Sequence, residues 1–431
     1  MTTTTFRTGH STFFLITSLA LSGCFADRPA EIETARQINV LIFGDSGYDL
    51  NYPDQDDYVD MFTAEEYYQS ELDDWIEDKR PLDEFEPRPS SISPVTGMTV
   101  PATGMNAVAA AMKHYCANVS RCDFGVMPGD NIYPSGATFG ADGFDDADRF
   151  KHMFSDLFGD LVVDPESYLS YVTLGNHDWE TSRAAAFAQI EFLQNADGFY
   201  IDGPYYTVKP PAGNGDIELF IIDTNMILAS TTVYEDYLND DGSEAVTDEI
   251  DLPDDHTKPM TDAEKAQPQW LEAALQASTA KWKFVIAHHP IWSSSGSKFE
   301  QARVLRDMIL PAMCRYADGY LVGHDHSLEI HTDSCAAALG KATAEPLVQI
   351  VSGAAAKQRP IHTTFMQHQE RKYPEHKTVM AEGLLWGFAH MTIEDDTASV
   401  TMMSVPDDGR SDISVNHVYK FNGARTLIAS K

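Results

Sequence analysis

Basic residues are scarce in this chain. Lysine and arginine together number 30 of 431 residues against 66 aspartates and glutamates, a net charge of −36. A surface that negative argues against binding to nucleic acid through its phosphates, which needs neutralising cations, and it disfavours anionic membranes. Cysteine is also rare, five in all, and none shows the C-x-x-C spacing of a zinc site. Long apolar runs are missing too: the N-terminal stretch Phe13–Ala20 is too short to span a bilayer. There is no internal repeat and no long low-complexity segment. The 43% apolar content is ample for a core, and the length suits one large domain or two ordinary ones.

Arg7 and the apolar run after it read as a signal peptide. Leu21-Ser22-Gly23-Cys24 resembles a bacterial lipobox, which implies cleavage before Cys24 and lipid on its sulfur. Phe25 in place of aspartate leans toward the outer membrane. The reading is a signal over residues 1–23, a tether over 24–36 and one domain over 37–431, exported as an outer-membrane lipoprotein or into the periplasm, with membrane contact only through the anchor. Cys116, Cys122, Cys314 and Cys335 remain. In an oxidising compartment they suggest two bridges with three possible pairings, of which Cys116–Cys122 and Cys314–Cys335 are the most local.

Apolar, β-prone runs recur at Gln37–Phe43, Phe124–Met127, Phe220–Ile222, Phe284–Ile286 and Tyr320–Val322, with a further strand near Tyr168–Leu174. Helical patterns fall between, at Met105–Tyr115, Gln269–Gln276 and Glu300–Leu310. Buried strands alternating with amphipathic helices mean an α/β architecture. A segment from about 48 to 100 interrupts the alternation, and Asp49–Arg88 within it holds 15 acidic and 3 basic residues. A second acidic run, Glu235–Asp255, has no basic residue. Both read as solvated surface, or as an acidic rim that turns polyanions away from the site.

Five short motifs follow the strands: Gly44-Asp45-Ser46-Gly47, Gly129-Asp130-Asn131-Ile132-Tyr133, Gly175-Asn176-His177-Asp178, Ala287-His288-His289-Pro290 and Gly323-His324-Asp325-His326. In open α/β sheets, ligands bind at the carboxyl ends of strands, where these motifs fall. Each joins a hard oxygen or imidazole donor to a residue that lets the backbone turn. Two metal ions roughly 3.5–4 Å apart can hold a phosphate and neutralise the charge that develops on hydrolysis. Asp130 is the natural bridge; Asp45, Tyr133 and His326 can serve one ion, and Asn176, His288 and His324 the other. An extended His324-Asp325-His326 would aim both rings the same way. A tyrosine donor suits a trivalent ion.

The motifs in this order resemble the calcineurin-like metallophosphoesterases, and among them the purple acid phosphatases of the small tartrate-resistant type. Further matching stretches are Arg149–Phe154, Ile221–Thr224, Gln269-Trp270-Leu271, His289–Ser293, Ser352-Gly353-Ala354 and Gly387-Phe388-Ala389. The resemblance implies a four-layer α/β/β/α sandwich of two mixed sheets. It implies Fe³⁺ on Asp45, Asp130, Tyr133 and His326, and a divalent Fe, Zn or Mn on Asp130, Asn176, His288 and His324. It also implies Asn176 and His177 at the substrate, attack by metal-bound hydroxide on a small phosphate monoester, and His177 as the general acid. A phosphodiesterase, or a non-catalytic phosphate- or metal-binding protein, is the alternative.

Three positions depart from the family pattern: Ser46 for an aromatic, His289 for a tyrosine, and a Ser293–Lys298 loop without the second substrate histidine of the animal enzymes. His362, His368 and His376 read as surface histidines, or as its replacement. Asp178 is a candidate to orient His177.

Overall fold

A computed structural model describes residues 37–52, 58–162, 168–230, 233–234, 250–251, 258–296, 299–406 and 413–423. The stretches read from the sequence as signal and tether, Cys24 and nearly all of the second acidic run lie outside them.

Two seven-stranded sheets carry the molecule. The first runs in the order Ser414–Asn422, Thr397–Val405, Trp386–Glu394, Gln37–Ile42, Phe124–Pro128, Ser170–Thr173, Phe199–Tyr200. The second runs His376–Glu382, Leu328–Asp333, Leu347–Ser352, Gly319–Val322, Trp282–Ile286, Ile217–Ile221, Tyr206–Val208. Each is mixed. Gln37–Ile42, Phe124–Pro128 and Ser170–Thr173 pair in parallel, as do Ile217–Ile221, Trp282–Ile286, Gly319–Val322 and Leu347–Ser352. The strands on the C-terminal side pair antiparallel.

The layering follows from residue alternation along the second sheet. Leu219, Ile221, Phe284, Ile286 and Leu321 join one core with Val40, Ile42 and Val126 of the first sheet. Phe220, Val285, Tyr320 and Val322 face the other way, into a second core with Leu271, Leu275, Leu305 and Met313 of two helices. A strand sends successive side chains to opposite faces, so runs apolar at every position must be covered on both. Helices Met105–Asn118 and Arg183–Asn195 cover the outer face of the first sheet. The result is the four-layer α/β/β/α sandwich.

Local readings shift only at element ends. The helix read as Glu300–Leu310 continues through Pro311 to Tyr316, and Cys314 in its last turn is bonded to Cys335 at a Cα–Cα distance of 5.7 Å. Cys116 at the end of another helix is bonded to Cys122 at 5.3 Å.

The acidic segment is folded. Helix Ala64–Glu77 begins at a capping box in which Thr63 and Glu66 bond reciprocally. A hairpin, Ser90–Ile92 with Thr99–Pro101, follows. Tyr58, Tyr67, Met98 and Val100 form a small core of its own. Glu65, Glu66, Asp73 and Glu77 are exposed, so much of the charge faces solvent. Arg80 fastens the segment to the body. Its side chain is 3% exposed, and its guanidinium donates to the carbonyls of Pro360 and Ser295, each at 3.0 Å.

Candidate two-metal centre

All five motifs follow the carboxyl end of a strand: Ile42, Pro128, Thr173, Ile286 and Val322. The two sheets meet there, because Gly44 donates to the carbonyl of Ser352 at 2.8 Å and the His324 amide donates to Asp45 Oδ2 at 2.8 Å. Asp45, Asp130 and His324 all take left-handed backbone, with φ of 55°, 49° and 68°. Such conformations are costly outside glycine and mark over-determined functional turns. The glycines make room: a Cβ on Gly175 would stand 2.2 Å from Asp130 Oδ1, and one on Gly323 2.4 Å from Asp45 Oδ2.

The donors fall into two sets. Tyr133 Oη lies 3.1 Å from Asp45 Oδ1, 2.8 Å from Asp130 Oδ2 and 3.1 Å from His326 Nε2. Asn176 Oδ1 lies 3.1 Å from both His288 Nε2 and His324 Nδ1, which are themselves 3.1 Å apart. Asp130 Oδ2 also stands 3.2 Å from His288 Nε2. One oxygen therefore touches both sets. Ligands about 2.0–2.1 Å from a common ion are separated by roughly 3.0–3.4 Å, so the spacing suits one cation per set.

Proton bookkeeping agrees. His288 Nδ1 is 2.9 Å from the carbonyl of Pro128, an acceptor, so Nδ1 carries the hydrogen of the neutral ring. Nε2 is then a lone pair facing the Asn176 oxygen, the Asp130 carboxylate and His324. Tyr133 has one proton for three acceptors. Acceptors converging on acceptors, nearly all buried, are a cation's donor set.

Titration shows the same shortage of positive charge. Burial, with the Asp130 carboxylate beside it, pushes Asp45 up to about 8, although His288 opposes this. Asp130 is also penalised by burial, yet His288 and His177 hold it well below the carboxylate range. Burial and then Asp130 and Asp45 push the Tyr133 phenol well above its ordinary value. Burial pulls His288 down, but Asp130 outweighs it and the ring rises to about 9. A phenolate at Tyr133 near neutral pH needs a strong Lewis acid in contact with it.

His177 lies beside this centre, its ring centre 4.3 Å from that of Tyr133. Its Nδ1 sits 2.5 Å from the carbonyl of Pro134 and 2.8 Å from Glu180 Oε2. Burial opposes the charged ring, but Asp130 and the bond to Glu180 raise its pKa above 6.5. Asp178 does not orient it. That carboxylate accepts from the amides of Gly175 and Asn131, from Asn131 Nδ2 and from Gln189 Nε2, and so holds the two motif loops together. The orienting carboxylate is Glu180, one helical turn along, and the His-x-x-Glu spacing is the signal that could have revealed it.

The His324-Asp325-His326 turn is not extended. With His324 left-handed and the Asp325 amide bonded to Gly323 O at 2.9 Å, the chain coils and sends each imidazole to a different set. Asp325, between them, accepts from Ser295 Oγ at 2.5 Å and from Arg359 at 3.3 Å. His289 turns to Thr224 Oγ1 at 2.8 Å.

A cavity of about 360 Å³ opens over Tyr133, His177 and His326. Tyr58, Met61, Ser70, Asp74 and Arg88 of the acidic segment line it, and Lys357 and Arg359 enter from the loop after Ser352. Its lining thus holds one carboxylate and three cations besides the histidines, so this wall is not an acidic rim. Arg88 is ion-paired with Glu71 and Arg359 with Asp325. His362 and His376 are buried, not surface. His362 bonds to the carbonyl of Asp78 at 2.9 Å, and His376 stacks on Trp292 with ring centres 4.3 Å apart. Neither they nor His368 line the cavity. Lys357 and Arg359 are not among the residues expected from the motifs; the signal for them is two cations in three residues after Ser352-Gly353 in so acidic a chain.

Residues 103–328, just over half of the chain, match the calcineurin-like phosphoesterase family, and the chain belongs to it. The match includes every candidate donor except Asp45. Within the wider group the chain is similar to purple acid phosphatases of Arabidopsis thaliana. It is 26% identical to purple acid phosphatase 17 over 237 residues, 54% of this chain and 59% of that one. It is 28% identical to purple acid phosphatase 4 over 208 residues, 48% of this chain and 53% of that one. The chain thus spans somewhat over half the length of these relatives. Among solved structures, GAP50, the anchor in the inner membrane complex of Plasmodium, superposes with a TM-score of 0.53 at 14% identity, covering 91% of this chain and 90% of that one. This last likeness is one of fold alone. A two-metal centre is what the family implies, and the donors suit it. Among the described residues no helix is long and apolar enough to cross a membrane.

Proposed function

We propose that this protein is a metal-dependent acid phosphatase that hydrolyses small phosphate monoesters. The carrying observation is Asp130 Oδ2, shared between a phenol-containing donor set and a set of Asn176 and two histidines. Asp45, Asp130, Tyr133 and His326 would hold Fe³⁺; Asp130, Asn176, His288 and His324 would hold a divalent Fe, Zn or Mn. Such a pair, when bound, supplies Lewis acidity to the phosphoryl group and a nucleophile at neutral or acid pH.

The chain's own residues account for the rest. Asn176 and His177 face the phosphoryl group. His177 keeps its Nδ1 hydrogen on Pro134 O and Glu180, which leaves Nε2 to deliver a proton to the departing oxygen. Raised above 6.5, the ring is charged under acid conditions, as a general acid must be. The roofed cavity is at the small end for ligand sites, which supports a compact ester over a polymer.

The deciding experiment is hydrolysis of an aryl phosphate monoester beside the matching diester from acid to alkaline pH. Fast monoester turnover with an acid optimum supports the reading. Diester preference or an alkaline optimum moves the chain to the phosphodiesterases of the same family. No turnover with both metals bound makes it a binding protein.

The lipobox supports export and a lipid anchor at Cys24. A Cys24→Ser chain that still partitions with membranes would sink that part.

A further inference from the structure

The donor sets do not account for Lys357. It follows the strand Leu347–Ser352 by five residues. Its ammonium nitrogen lies 4.3 Å from the ring centre of Tyr133 and 5.2 Å from that of Tyr48. It lines the same cavity as His177 and His326. Arg359 is near, but its guanidinium is committed to the buried Asp325 carboxylate. In the loop that lacks the second substrate histidine, the described residues 293–296 are turned inward. Ser293, Ser294 and Ser295 are buried, with the Ser294 amide on Glu329 and the Ser295 hydroxyl on Asp325.

We propose that Lys357 binds the phosphoryl group of the substrate beside His177, in the role left open by that missing histidine. An ammonium is a compact point charge with three donors, suited to a phosphate that turns as it reacts. Two aromatic rings beside its ammonium reduce its hydration, which strengthens its pull on an anion. In a chain of net charge −36, a cation at the cavity wall also offsets the repulsion a phosphate meets on approach. Its part is attraction and hydrogen bonding to the phosphoryl oxygens, not proton transfer.

The inference rests on the phosphatase reading, but its test does not need turnover. Inorganic phosphate is titrated calorimetrically into the metal-loaded full chain, native, Lys357→Gln and Lys357→Arg, with metal content measured in each. Removing a charged hydrogen-bond donor should weaken phosphate binding by about 10- to 100-fold. Metal content should stay unchanged, and Lys357→Arg should recover most of the affinity. In steady state KM for an aryl monoester should rise more than kcat falls. Lys357→Gln binding phosphate as tightly as the native chain overturns the assignment, and so does a loss of metal that tracks the loss of affinity in both variants. If the native chain binds phosphate but hydrolyses nothing, and Lys357→Gln still weakens binding, the assignment stands and the phosphatase reading fails. A native chain that binds no phosphate with both metals present overturns both.

Discussion

His177 Nδ1 lies 2.8 Å from Glu180 Oε2, three residues further along one short helix. That contact, with the Pro134 carbonyl on the same nitrogen, sets which ring nitrogen is available for chemistry.

Replacing His177 with Asn should lower kcat by about 10²- to 10⁴-fold for an alkyl monoester, whose leaving oxygen needs a proton. The loss should be much smaller for a nitrophenyl ester, whose leaving group does not. Glu180→Gln should leave the acid limb of the pH profile in place and move the alkaline limb to lower pH, since Glu180 helps hold His177 above 6.5. Kinetics on both esters across pH separate these outcomes from a general loss of fold.

Metal stoichiometry should follow the donor sets. Asp130→Asn should lower occupancy of both ions, Tyr133→Phe chiefly the trivalent one, and Asn176→Ala chiefly the divalent one. Each should cost more turnover than the roughly 10- to 100-fold typical of residues that only support a ligand. Elemental analysis beside activity reads this. The native chain should show a visible phenolate-to-metal band that Tyr133→Phe lacks; full activity in a colourless, iron-free preparation would refute the iron assignment.

Arg80→Met should release the acidic segment from the loops it roofs. Two buried charged hydrogen bonds are lost, which should destabilise the chain by about 3 kcal/mol, measured as a shift in urea midpoint. KM should rise with kcat less affected, because the roof shapes the cavity and touches no donor. An unshifted midpoint would show that Arg80 is not the fastening.

The buried histidines should each withdraw stability on acidification. Burial lowers His362 and His390 to about 4 and His376 to about 2, the last also through His331. Between pH 6.5 and 4 the unfolded chain takes up protons at these sites while the folded one does not, so their contribution to stability declines as pH falls, opposed by the buried carboxyls of Asp178 and Asp223, which burial raises to about 6 and about 7. Thermal melts at steps from pH 7 to 4.5 should show His390→Gln losing less Tm, or gaining more, on acidification than the native chain; equal slopes would exclude His390 as a contributor.

Much of the centre was legible because its chemistry is local. Strand, glycine, acid and imidazole recur at short spacing, and the carboxyl end of each parallel strand is where such residues must gather. Distances were not legible. That Asp130 offers one oxygen to both sets depends on left-handed backbone at Asp45, Asp130 and His324, which spacing alone does not foresee. The histidines at 362 and 376 were misplaced for a related reason: a polar side chain reads as surface until the buried partners that satisfy it are known, here the Asp78 carbonyl for one and Trp292 and His331 for the other.

Composition and periodicity determined that this acidic chain forms an α/β fold with donor-bearing turns at its strand ends, because burying apolar strands on both faces leaves few alternatives. Tertiary structure decided what surrounds those turns. It sent Lys357 and Arg359 into the cavity and folded the acidic segment over the site with Arg80 as its fastening. Such contacts join residues as much as 280 positions apart, and no local pattern encodes a pairing that only packing of the two sheets makes possible.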